Sequence, residues 1–223
     1  MKDVFVIAME PEADAVLRHM TDVMRFESCG RVVCQGTLRG ETAAVVICGI
    51  GKVNAAAGTQ YAIDCLSPER IVNLGVAGGI DPTMKVAEVY AISRCFQCDF
   101  DLSEVNHTPK GTPDEFTGPF YDLQNPFPGL PTAVVATGDA FTNCDFDRGF
   151  VRDEMGAGLR DMELAAIAHV CRRAGVTCCA VKAVSDVHFP EQPPPTDQYA
   201  SNLRKAVDAL ARLVGGSESG CAE

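Results

Sequence analysis

The stretch 133-AVVATGDAFTN-143, followed by 161-DMELAAIAHVC-171 and 178-CCAVKAVSD-186, decides the fold. An apolar run ends at a glycine. A loop leads to a helical pattern over 161–174 that places Met162, Ala165, Ala166 and Ala168 on a packed face. A second apolar run then follows. Short apolar runs bounded by turn signals read as buried strands, and the 3.6-residue spacing between them reads as a helix. Strand, turn, helix, strand is the repeating unit of an α/β protein. Three of its junctions carry an acid: Asp139 after Gly138, Glu163 in the first helical turn, and Asp186 at the end of the last strand, with Ser185 before it. Polar ligands of α/β proteins bind at such strand ends. Each acid alone has a structural explanation, as a turn residue, a helix-dipole partner and a cap. Three together, with Glu12 near the N-terminus, point to a site.

The 223 residues suffice for one well-buried domain, and 47% hydrophobic with 22% charged residues is an ordinary globular balance. A net charge of −11 argues against a nucleic-acid partner. No apolar run approaches a membrane span, and the opening MKDVFVIAMEPE turns acidic too early for a signal peptide. A cytoplasmic location is the expectation. Eleven cysteines, an odd number, suit reduced thiols better than a disulfide framework. Cys95 and Cys98 form a lone CxxC without a second pair, and with Cys178 and Cys179 they read as small core residues. The four histidines have no metal spacing; His169, on a helix, reads as a surface or satisfied core residue.

Residues 3–8 read as a first strand buried on both faces, and Met9-Glu10-Pro11-Glu12 as a helix start with acids at its positive end. Residues 31–38 and 43–48 pair as a hairpin around Arg39-Gly40. The second strand runs into Gly49-Ile50-Gly51-Lys52-Val53-Asn54. This is neither a dinucleotide fingerprint, since Asn54 replaces the third glycine, nor a phosphate loop, since Val53 follows Lys52. A small-residue helix follows. Residues 70–75 read as a short strand, 76–81 as a Gly-rich turn, 84–93 as another strand, and 97–131 as a long loop, a lid or an oligomer contact. A Pro-rich break precedes an amphipathic last helix opened by Thr196 or Asp197. No repeat or linker divides the chain, so one domain over 1–215 with a flexible tail over 216–223 is expected.

Six segments now stand in order: Ala8-Met9-Glu10-x-Glu12, Gly49-Ile-Gly-Lys-Val53, Gly75-x-Ala-Gly-Gly79, Gly138-Asp-Ala-Phe141, Met162-Glu163-x-x-Ala-Ile-Ala-His-Val170 and Ala183-x-Ser-Asp186. Together they resemble the 5′-methylthioadenosine/S-adenosylhomocysteine nucleosidases of the purine nucleoside phosphorylase/uridine phosphorylase superfamily. The resemblance spans most of the chain and is weakest over 97–131. It implies a single α/β/α domain around a mixed, partly barrel-like sheet, usually in a homodimer. It also implies hydrolysis of an N-glycosidic bond to release adenine, a reaction needing no cofactor or metal. By position, Glu12 matches the acid that activates water. Met162 and Glu163 match the ribose-binding pair, and Asp186 matches the donor of a proton to purine N7, oriented by Ser185. Phe141 and the backbone of Thr142 match the adenine contacts, while Met9 and Ile50 match apolar walls near the sugar. Phe100, Leu102 and Tyr199 are candidates for the 5′ pocket, part of which a partner subunit usually supplies.

The residue types suit that chemistry. Breaking the bond builds positive charge on the sugar, so the departing base needs a proton. A carboxylic acid gives one at neutral pH only if burial or neighbours raise its pKa, and Asp186 ends an apolar run. A second, ionised carboxylate must take a proton from water, and Glu12 can do so. Two separated acids are the logic of an inverting glycosidase. A carboxylate at 163 can accept two hydroxyl hydrogen bonds. Phosphorylases of the superfamily hold phosphate with arginine and a hydroxyl residue. Asn73 and Val76 stand at those places here, which makes water the expected nucleophile.

Overall fold

The structure is a computed structural model that describes residues 1–141, 144–187 and 196–216. The chain begins with strand β1 (Asp3–Ile7), helix α1 (Glu10–Leu17) and strands β2 (Met20–Ser28), β3 (Arg31–Leu38) and β4 (Glu41–Ile47). Helix α2 (Lys52–Leu66), strands β5 (Arg70–Gly79) and β6 (Val89–Gln97), the single turn α3 (Ser103–Asn106) and the short β7 (Tyr121–Asp122) follow. Then come β8 (Thr132–Thr137), α4 (Cys144–Phe146) running on as a π-helical segment (Asp147–Glu154), and β9 (Leu159–Asp161). Helix α5 (Leu164–Ala174), β10 (Thr177–Val187) and α6 (Thr196–Gly215) complete it.

All the strands belong to one mixed sheet in the order β10-β6-β8-β9-β5-β1-β4-β3-β2, with β7 on β6. Because β10 also pairs with β5, the first five strands close into a small barrel, and β1 to β2 extend from it as an open wing. β5 makes this possible by forking. One edge runs beside β10 for its full length, while the other pairs with β1 at Arg70–Val72 and with β9 at Gly78–Gly79. Helices α1 and α6 pack on one face, where Val16, Leu210 and Val214 meet Phe5, Val45 and Val72. Helices α2 and α5 pack on the other, where Ala55, Ala62, Ile167 and Cys171 meet Val4, Val6 and Ile71. The expected three-layer α/β/α arrangement with a partly barrel-like sheet is present. A fully buried side chain such as Leu210 contributes about 1.5–3 kcal/mol to such layers.

Four boundaries differ from the sequence reading, each for a physical reason. β2 was not foreseen: it is an edge strand whose residues after Met20 are mostly exposed, so it lacks apolar alternation. The Gly-rich segment after residue 75 continues β5 to Gly79, because β10 and β9 supply its backbone partners. The strand expected over 84–93 runs from Val89 to Gln97, because β10 pairs with Val89–Ala91 and β8 with the stretch from Ala91 to Gln97. The helix expected from 161 begins at Leu164, because Leu159–Asp161 first pair with β5 and β8.

Segment 97–131 is mostly irregular, as expected, and is fastened to the outside of α5. Tyr121 Oη lies 2.9 Å from His169 Nδ1, and Glu115 Oε1 lies 3.2 Å from His169 Nε2. His169 thus has the satisfied structural role read from its helix. Cys95, Cys98 and Cys179 are buried, and Cys178 is half-buried. The Pro-rich break over 188–195, the side chains of residues 196–197 and the tail beyond 216 lie outside the described residues. No described helix is long and apolar enough to cross a membrane.

Candidate active site

The C-terminal ends of β1, β4, β5, β9 and β10 converge on one cavity with the loop after β8 and the first turns of α6. Met9, Glu12, Ile50, Phe141, Met162, Glu163, Ser185, Asp186 and Tyr199 all line it, as do Val76, Arg160 and Asp161. A larger cleft at the opposite strand ends is lined by Lys2, Asp3, Arg39, Glu41 and Arg70. Its charges are already paired: Arg70 with Asp3, Lys2 with Glu41, and Arg39 with the last carbonyls of α6.

Glu12 enters the cavity from the first turn of α1 and is 4% exposed. Its Oε2 accepts the Met9 N–H at 3.1 Å, closing the helix start like one half of a capping box. Its Oε1 accepts the Val76 N–H at 2.8 Å, from mid-β5. Room for this comes from Gly75, where a Cβ would stand 2.7 Å from Glu12 Oε1 and 3.5 Å from Lys182 Nζ. Burial pushes the Glu12 carboxyl above its usual pKa, while Lys182 and the two backbone donors pull it partly back.

Glu163 is 7% exposed, and its Oε1 accepts the Gly51 N–H at 2.9 Å. It stands just ahead of α5 rather than inside its first turn. Burial, with the nearby Asp161, raises its pKa to about 7 against the pull of Lys182 and the Gly51 N–H. Asp186 is 1% exposed and accepts the Ser185 Oγ–H at 2.5 Å. The register of β10 against β5 slips between Val184 and Asp186, a bulge with Ser185 as the extra residue. Bulges next to sites re-aim a side chain in this way.

Two further residues complete the electrostatics, and sequence reasoning did not single them out. Lys182 and Asp161 form an ion pair at 2.8 Å with both side chains almost wholly buried. Asp161 also accepts from Thr137 Oγ1 at 2.5 Å and from the Leu164 N–H at 3.0 Å, so it caps α5. Burial disfavours the Lys182 charge, but Asp161, Glu163 and Glu12 outweigh it and hold its pKa above the ordinary lysine value. The available signal was a single charge inside the apolar run 178-CCAVKAVS-185. Such a residue is almost never fully buried without a partner.

Phe141 and Ile50 rim the cavity, each about half exposed, and Tyr199 meets Phe141 edge-on at 5.7 Å. Burial, then Asp186, Glu12 and Glu163, raise the Tyr199 pKa. Phe100 and Leu102, in the segment that follows β6, do not line the cavity of this chain. Thr142 lies outside the described residues. Asn73 is buried and donates to the Val6 carbonyl at 2.9 Å, so it serves the sheet. Among the described residues no group of three His, Cys, Asp or Glu is placed to hold a metal ion.

A fixed carboxylate beside a buried lysine, a second one at a helix start and a third on a strand bulge can grip hydroxyls and move protons around a small polar ligand. Comparison with known proteins is consistent with that chemistry. The phosphorylase superfamily family model matches residues 2–216. A 5′-methylthioadenosine/S-adenosylhomocysteine nucleosidase of Geobacillus kaustophilus is 31% identical, over 96% of this chain and 95% of its own. A solved mutant of the Helicobacter pylori 5′-methylthioadenosine/S-adenosyl homocysteine nucleosidase, with 5′-methylthioadenosine in its active site, superposes with a TM-score of 0.86. It is 25% identical, with 96% of each chain covered. A futalosine hydrolase from the same organism shares the fold at a TM-score of 0.85 and 24% identity, with 96% of this chain and 95% of its own covered. The chain belongs to the phosphorylase superfamily and, within it, to the family of the 5′-methylthioadenosine/S-adenosylhomocysteine nucleosidases.

Proposed function

We propose that this protein hydrolyses the N-glycosidic bond of 5′-methylthioadenosine, S-adenosylhomocysteine or a related 5′-modified adenosine, releasing adenine. The observation that carries the reading is the convergence of Glu12, Glu163 and Asp186 on one cavity with an apolar rim. Glu12 is the base that takes a proton from the attacking water. A pKa raised by burial suits that role, because a base gains efficiency as its pKa approaches the operating pH. Glu163, with one oxygen held by Gly51, offers the other to the ribose hydroxyls beside Met162. Asp186, oriented by Ser185, gives its proton to the leaving purine, which stacks on Phe141. Tyr199, Met9 and Ile50 face the 5′ side.

Water rather than phosphate is the nucleophile in this reading. Val76 has no hydroxyl, Asn73 is engaged with the sheet, and the Lys182 charge is balanced by Asp161. Residues 1–215 act as one catalytic unit. A homodimer would cover Val53 and Val105, which are 79% and 74% exposed, together with the rim residues Ile50 and Phe141. Phe100 and Leu102 would then reach a 5′ pocket only across the subunit contact. The setting is cytoplasmic salvage of the methylthio group. Incubation with a panel of 5′-substituted adenosines and futalosine, with and without phosphate, tests the assignment. Free adenine without phosphate supports it. Phosphate dependence, or release from futalosine alone, replaces it.

A further inference from the structure

The two loops that frame the cavity are tied to each other outside it. Gly51 and Lys52 open α2 with adjacent N–H groups, and each takes a carboxylate. Gly51 donates to Glu163 inside the cavity at 2.9 Å, and Lys52 donates to Asp139 Oδ1 outside it at 2.8 Å. Gly51 has φ +97°, and a Cβ there would meet Asp139 Oδ1 at 3.2 Å, so only glycine fits against that acid without strain. Asp139 is held in turn, because its own N–H donates to Asp99 Oδ2 at 2.9 Å. Asp99 Oδ1 takes the Lys52 ammonium at 2.6 Å, with Gln97 Oε1 at 3.4 Å from the same nitrogen. The circuit Lys52, Asp139, Asp99 thus joins the loop that carries Ile50 to the loop that carries Phe141, anchored on the end of β6.

We propose that Asp139 is a positioning residue for the nucleosidase site. By fixing the start of α2 it aims the Gly51 N–H at Glu163, and it sets the separation of the Ile50 and Phe141 walls. The inference rests on the function proposed above. Its chemistry is simple. A carboxylate that accepts a backbone N–H is favoured in its charged form, and a charged Glu163 is the form that can accept two hydroxyls. Side-chain oxygens at a helix start satisfy backbone N–H groups that the helix leaves free, and a charged acceptor makes such bonds stronger.

The test compares Asp139→Ala and Asp139→Asn with the parent protein. The amide oxygen of Asn can still accept the Lys52 N–H. Two readouts are taken: the Glu163 carboxyl titration followed by carbon-13 NMR on the unliganded protein, and kcat and KM for the turned-over nucleoside. The Ala variant is expected to titrate Glu163 at higher pH and to raise KM about tenfold, the size of one lost charge-assisted hydrogen bond. The Asn variant is expected to restore most of both. An unchanged Glu163 titration in Asp139→Ala, or an Asn variant as impaired as Ala, overturns the proposal. The NMR titration needs no turnover. An inactive parent would therefore remove the functional reading while leaving the link between Asp139 and Glu163 to be judged by itself.

Discussion

Glu12 Oε1 and the Val76 nitrogen lie 2.8 Å apart, which locks the end of a helix's first turn to the middle of a buried strand. With Met9 donating to the other oxygen, each Glu12 oxygen already has one backbone donor. Each keeps a free lone pair for a water. Glutamine at this position cannot copy the arrangement. Its NH2 group would face either Val76 N–H or Met9 N–H, donor against donor, and it has no basicity to give. Glu12→Gln should therefore lower the rate of adenine release by roughly 10²–10⁴-fold. A competitive product, free adenine, should still bind. Turnover within a few-fold of the parent would remove Glu12 from the role of base.

Gly75 makes that carboxylate possible. A Cβ there would sit 2.7 Å from Glu12 Oε1, a distance real methyl groups do not adopt, and 3.3 Å from Glu12 Cδ, with Lys182 Nζ at 3.5 Å. The backbone itself is an ordinary strand paired to β10. Gly75→Ala is thus expected to keep the sheet and push Glu12 off the Val76 N–H. kcat should fall far more than thermal stability does. A crystal structure of the variant with Glu12 unmoved would contradict this account of the glycine.

Asp186→Asn separates proton donation from shape. Asn retains an oxygen that can accept the Ser185 hydroxyl, now at 2.5 Å, and it fills nearly the same buried volume. It has no carboxylic proton to hand to a departing purine. Folding and adenine affinity should survive while turnover falls by roughly 10²–10⁴-fold. Calorimetric binding of adenine next to a base-release assay checks both halves. Near-normal release would reassign the acid.

Much of this site is legible in the residues because the acids stand at element junctions. Gly138-Asp139, Met162-Glu163 and Ser185-Asp186 mark strand and helix ends that the fold brings to one edge of the sheet. The hairpin around Arg39-Gly40 and the last helix are legible for equally local reasons, a turn pair and an apolar stripe. Long-range effects escape such a reading. β9 is three residues long and exists because β5 and β8 offer it partners. Segment 76–79 looks like a turn until β10 is laid beside it. The Ser185 bulge and the Lys182–Asp161 pair depend on register across the sheet, which no local pattern encodes. Phe100 and Leu102 are not legible in this way: they do not line the cavity of their own chain, and a 5′-pocket role for them depends on a second subunit that no local pattern places.

Lys182 tests the electrostatics as a unit. Its ammonium holds down the pKa of Glu12 and of Glu163 and balances Asp161. Lys182→Met should therefore move the acid limb of the activity profile to higher pH. Leaving Asp161 buried without its cation should cost about 3–5 kcal/mol of stability. Lys182→Arg keeps the charge and should preserve the limb even if crowding lowers the rate. A pH profile that is the same in Met and parent proteins would show that the lysine does not tune these acids.

Glu163 supplies a prediction about stability that needs no substrate. Its folded pKa is raised to about 7, while the unfolded chain titrates near the ordinary glutamate value. Between those two values the native state holds a proton that the unfolded state has released. Stability from this group is therefore greatest below the unfolded pKa, falls as pH rises through the window, and is flat again above about 7. Glu12, also raised by burial, adds to the slope in the same direction. Urea unfolding at a series of pH values between 4.5 and 7.5 should show the decline, and Glu163→Gln should make it shallower, leaving the part due to Glu12. Ribose hydroxyls ask for the opposite protonation state. A nucleoside that grips Glu163 should thus bind more tightly as pH rises through the same window and release a proton as it binds. Proton uptake on binding, read from calorimetry in buffers of different ionisation enthalpy, would mean that Glu163 meets its ligand as the neutral acid.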